Sequence, residues 1–120
     1  SNYIDVLLHE AVALLVVAGW KEREAVSALM PLVEGAVANV RARGPVAALT
    51  GPVRRGDTAT VERHLAALRR ARPGSEALYR MLGEVALEIA QEAGLDPAAA
   101  ERMHRALTGP TAATRRRRRI

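Results

Sequence analysis

Cysteine is absent from the chain. That excludes disulfides, thiolate zinc sites and a cysteine nucleophile, and it accords with a reducing, cytoplasmic setting. Phenylalanine is absent too, and one Trp and two Tyr are the only aromatic side chains, too few to favour a strand-rich core. No apolar run reaches the roughly 18 residues that a membrane span needs. The longest, Ala11 to Trp20, begins after His9 and Glu10 and reads as a buried helix. No basic segment precedes an apolar one at the N-terminus, so no signal peptide is expected. There is no Gly-x-Gly-x-x-Gly turn and no Gly-x-x-x-x-Gly-Lys loop, hence no dinucleotide or phosphate fingerprint. His9, His64 and His104 fall on three different expected helices with no pair at metal-ligand spacing, so no metal site is expected.

What is present is Ala, Val and Leu. These make up most of a 49% apolar content, which argues against disorder throughout and for helices. With 120 residues the chain suits one domain. The formal charge of +5 invites a nucleic-acid reading, but Arg115 to Arg119 supply five of the 18 basic residues; the remaining 13 equal the 13 acidic ones. The excess therefore belongs to a terminal run without interleaved aromatics, which argues against a nucleic-acid face on the folded body.

Helical periodicity begins at once. Tyr3, Leu7, Leu8, Ala11, Leu14, Leu15 and Ala18 share a face that Val12, Val16 and Val17 widen, so the first helix is either central or covered by a partner, and a homodimer is expected. Asn2 reads as a cap at its start, and Gly19 as its stop. A second helix over Lys21 to Arg43 carries Pro31, where a kink or break is expected; Gly44-Pro45 ends it. Ala47 to Asp57 holds two glycines and a proline and reads as a shaped connection. Asp57 or Thr58 caps a third helix through Arg70 with Val61, Leu65 and Leu68 inward. Arg72 to Ser75 is a turn. A fourth helix follows over Glu76 to Ala93 with Leu78, Met81, Leu82, Val85, Leu87 and Ile89 mostly inward. Asp96 and Pro97 open the last helix, to about Leu107. The expectation is an all-α bundle of five or six helices over residues 1–110, with a disordered Arg-rich tail over 111–120.

The connection is the most informative local feature. Its glycines permit close backbone approach to a ligand, Thr50 can donate a hydrogen bond and Arg55 can hold a carboxylate or phosphate. The plainer alternative is a tight interhelical turn with Asp57 as N-cap.

Ser1-Asn2-Tyr3, Met30-Pro31-Leu32-Val33, Ala48 through Asp57 and Val61-Glu62-Arg63-His64-Leu65 together resemble the C-terminal helical domain of a family of Rossmann-like oxidoreductases, domain of unknown function 2520. The resemblance covers about residues 1–95, and Leu-Thr-Gly-Pro-x-x-Arg-Gly-Asp is its specific motif. It implies a fold similar to the C-terminal domain of 6-phosphogluconate dehydrogenases and ketopantoate reductases, a preceding Rossmann domain that binds NAD(P), and a helical half that contacts a small-molecule substrate and dimerises. Carried over by motif, the implied substrate-binding residues are Asn2, Thr50, Gly51, Pro52, Arg55, Gly56, Asp57 and His64, without catalytic roles. The nucleotide-binding half is not in this chain, so no cofactor is expected to bind the chain alone. The alternative is a non-enzymatic helical dimerisation module whose basic tail docks on nucleic acid or an acidic partner.

Overall fold

The computed structural model describes residues 1–110. The expected disordered tail over 111–120, with Arg115 to Arg119, lies outside them. Every regular element among the described residues is helical: α1 (Asn2–Val17), α2 (Glu22–Ala47), α3 (Pro52–Arg55), α4 (Thr58–Ala71), a 3-10 turn (Pro73–Ser75), α5 (Glu76–Glu92) and α6 (Pro97–Thr108). The all-α expectation holds. The residues group into two compact units that divide after Gly44.

The first unit is α1 and the body of α2. Gly19, at φ 100°, closes α1: its amide bonds the Val16 carbonyl and the Trp20 amide bonds the Leu15 carbonyl, the paired closure that a left-handed glycine permits. Two expectations change here. Ser1, not Asn2, occupies the N-cap position, and Asn2 is the first helical residue. Pro31 does not break α2; the backbone stays helical until Gly44 (φ 79°, ψ 166°). Pro31 leaves the Ser27 carbonyl without its helical donor, but Ser27 is exposed, so water can replace that bond. The Ser27 hydroxyl turns back on the Arg23 carbonyl at 3.1 Å. Ala25 is the one buried residue of this unit, and α1 buries none. The two helices leave one another largely uncovered. Tyr3, Ile4, Leu7, Leu32, Val37 and Val40 all stand exposed. Within its own unit α1 is therefore not a buried, central helix.

The second unit has a core. Val61 and Leu65 of α4, Leu87 of α5, and Ala100, Met103 and Leu107 of α6 form one buried cluster, with Val53, Tyr79 and Leu95 packed at its edge. The α4 stripe is as the periodicity predicts. The α5 stripe is so only in part: Leu87 is buried and Leu78 and Ile89 are half-buried, but Met81, Leu82 and Val85 are exposed, while Glu76, Arg80, Gly83 and Ala90 face inward. Two requirements set that rotation. Gly83 admits Leu107, whose Cδ2 would lie 2.5 Å from a Cβ at that position. Arg80 reaches the end of α6, where its Nη1 donates to the carbonyls of Ala106 at 3.1 Å and Leu107 at 2.6 Å. A helix C-terminus leaves such carbonyls without internal partners and gathers negative potential, so a guanidinium there is doubly favourable.

Candidate functional site

The Thr50-to-Asp57 connection folds as a single helical turn held at both ends by glycine. Gly51 is extended at positive φ (99°), a backbone that L side chains rarely adopt, and sets Pro52 at the first position of α3. Gly56 closes the turn in the left-handed region (φ 67°, ψ 24°). Its amide bonds the Val53 carbonyl at 3.1 Å, and the Asp57 amide bonds the Pro52 carbonyl at 2.8 Å. A Cβ on Gly56 would sit 3.1 Å from Ala99 Cβ and 3.3 Å from Leu95 Cδ1, so this glycine serves close approach to the start of α6 as well as the turn. Arg54 fastens the segment from the other side, its Nη2 donating to the Ala93 carbonyl at 3.2 Å.

Asp57 caps α4. Oδ1 accepts from the Thr60 amide at 3.1 Å, and Oδ2 accepts from the Thr60 hydroxyl at 2.7 Å. The Thr60 hydroxyl and then its amide hold the Asp57 carboxyl below its ordinary range; desolvation opposes them, and the positive charges of Arg55 and Arg63 add lesser help. The Thr60 oxygen also accepts from Arg63 Nη2 at 2.6 Å. The interhelical-turn alternative therefore describes the connection as built. The amides of Arg55, Gly56, Asp57 and Thr58 all bond carbonyls within the segment, and the side chains of Thr50 and Arg55 are exposed.

His64 lies seven residues after Asp57 on the same helix. Two turns return it to the same side of α4, about 10 Å along the axis. Its Nδ1 meets the Tyr79 hydroxyl of α5 at 2.8 Å, and the two rings stand edge to face, 88° apart with centroids separated by 5.8 Å. Burial raises the Tyr79 phenol above its ordinary value. Asn2 belongs to the first unit and is exposed; the other seven expected site residues belong to the second.

Three features escape a reading of residue types alone. One is the Tyr79 partner of His64, separated by 15 residues in sequence and carried on another helix. Another is the Arg54 tether. The third is a buried ion network in which Arg69 Nε at 3.0 Å and Arg80 Nη2 at 2.9 Å both meet Glu76 Oε1. The i,i+4 spacing of Glu76 and Arg80 was a signal for that pair. A cleft of about 320 Å³ opens beside the network, lined by Glu62, Arg69, Arg80, Arg105 and Pro110 among others. Its two inner arginines are already bonded to Glu76 and to backbone carbonyls. His9 pairs with Glu10 at 3.6 Å and His104 with Glu84 at 3.0 Å. Among the described residues no group of three or more His, Cys, Asp or Glu could hold a metal ion. No helix among them is long and apolar enough to cross a membrane.

A family model described as a domain of unknown function (DUF2520) matches residues 1–86. That span contains all eight expected site residues and Tyr79. No curated protein matches the chain, and no solved structure matches it.

Proposed function

The chain belongs to the DUF2520 family, and on that premise we propose that it is the substrate-binding and dimerisation half of a cytoplasmic NAD(P)-dependent oxidoreductase. The Rossmann domain of that enzyme would lie outside these residues. Among the described residues no strand occurs, which supports a dinucleotide site built elsewhere, on a strand–turn–helix that cradles the pyrophosphate. The nicotinamide and its hydride would come with the other domain. This chain would offer the substrate Thr50, Arg55 and His64, held on a frame in which Asp57 fixes α4 and Gly56 fixes the loop against α6.

The observation that carries the reading is the first unit. Forty-four residues with a single buried side chain expose far more apolar surface than a free-standing module tolerates. Such helices suit a shared interface, with another domain, another copy of the chain, or both.

Calorimetric titration tests the proposal. NADPH and NADH are titrated into this chain, and into the chain extended by whatever coding sequence lies on its N-terminal side. The extended protein should bind one of them and the 120-residue chain neither. If the extended protein ignores both, or the short chain binds as tightly as the extended one, the oxidoreductase reading is lost.

A further inference from the structure

We infer that Tyr79 is the positioning residue for His64: its hydroxyl donates to Nδ1, so that the neutral imidazole carries its proton on Nε2 and presents that nitrogen to a substrate. The inference rests on the preceding reading for the identity of what His64 meets, but the arrangement of the two rings stands by itself.

An imidazole's two nitrogens lie on opposite flanks of the ring, so whatever holds one decides what the other can do. At His64 the held nitrogen is Nδ1, 2.8 Å from the Tyr79 oxygen. The edge-to-face contact fixes the plane of the ring as well as its flip. Tyr79 is itself half-buried, packed against the core cluster at the same edge as Val53 and Leu95. It is thus a rigid support rather than a mobile surface side chain. His64 is exposed, and among the described residues Nε2 has no partner. A hydrogen bond made only to join α4 to α5 could use either ring nitrogen. This one leaves the outer nitrogen free and oriented, on the same side of α4 as the Asp57 cap and in the helix that the loop leads into.

The phenol is the natural donor in the pair. A phenol keeps its proton through the neutral range, and a neutral imidazole nitrogen accepts well from an O–H. Nε2–H then becomes a donor aimed at solvent, suited to the carbonyl or carboxylate oxygen of a small substrate.

Two measurements test the assignment. In the first, long-range nitrogen–proton spectra of the imidazole are recorded for the full chain and for Tyr79→Phe, with His64→Gln to assign the signals. The wild type should show His64 as the Nε2–H tautomer and the Phe variant a mixture, with thermal midpoints within a few degrees of each other. A wild-type ring that is mainly Nδ1–H, or already mixed, overturns the inference. In the second, turnover is measured in the extended oxidoreductase. Tyr79→Phe should lower kcat/KM roughly tenfold or more, and should add nothing in a His64→Gln background. Independent, additive losses would show that Tyr79 does not act through His64. A wild type with no turnover at all would count against the oxidoreductase reading instead, and the spectra alone would then decide the ring's placement.

Discussion

Arg80 and Glu76 stand one turn apart on α5 and both face inward, with Arg80 Nη2 2.9 Å from Glu76 Oε1 and each residue less than a tenth exposed. The same guanidinium donates to the Ala106 and Leu107 carbonyls, so one side chain ties the start of α5 to the end of α6. Removing one partner of a buried pair leaves the other desolvated and alone, which costs about 3–5 kcal/mol. Arg69 also holds Glu76 and softens that loss toward the lower figure. Urea unfolding of Arg80→Met should therefore show a loss of about 3 kcal/mol; a change within about 0.5 kcal/mol of zero would mean the network is a bystander.

Two glycines should respond with opposite signs. Gly56 combines a left-handed backbone with Ala99 and Leu95 at its face. An added methyl meets both strain and contact, so Gly56→Ala should destabilise by roughly 1–3 kcal/mol. Gly35 lies inside α2 with open space where a Cβ would go. There Ala removes only the entropic cost of glycine, and Gly35→Ala should stabilise by roughly 0.5–1 kcal/mol. Thermal midpoints of both variants, measured side by side, check the contrast, and matching signs would refute it.

The difference between these glycines shows what was legible in the sequence. Element boundaries were, because stops and caps are local: Gly19, Gly44, Asp57, Asp96 and Pro97 act within a few residues of themselves. The rotation of α5 was not. Its larger apolar stripe, Met81, Leu82 and Val85, faces outward, because the space left by Gly83 and the reach of Arg80 to α6 decide the inward face. Both depend on a helix more than 20 residues downstream. Pro31 does not end α2 for a related reason: at an exposed turn, water can replace the bond that the missing amide would have made. For the site, motif residues pointed to the loop and His64, whereas Tyr79 is joined to His64 only by the packing of α4 against α5.

Asp57 makes a pH prediction. Its carboxyl is held below the ordinary value chiefly by the Thr60 hydroxyl, so its folded form binds a proton less readily than its unfolded form. The cap's stabilisation is therefore complete above the usual carboxylate range and fades as pH falls through the lowered folded value. Wild type should exceed Asp57→Ala in stability at neutral pH, and the gap should narrow on acidification. A gap that stays constant down to acid conditions would show that the charge of Asp57 contributes nothing to the cap.

The exposed first unit predicts self-association. Ile4 is 58% and Leu32 69% exposed, on two helices that bury only Ala25 between them. Covering a large aliphatic side chain contributes roughly 1.5–3 kcal/mol. Several such side chains are needed before the lost freedom of two molecules is offset, and α1 and α2 offer Tyr3, Leu7, Val16, Val17, Val37 and Val40 besides. The chain should sediment as a dimer at micromolar concentration. Ile4→Asp and Leu32→Asp should each raise the dissociation constant at least about tenfold, the equivalent of about 1.4 kcal/mol. Circular dichroism should remain helical, since neither side chain is part of the second unit's core. A wild-type chain that stays monomeric up to millimolar concentration would mean that these faces do not drive self-association.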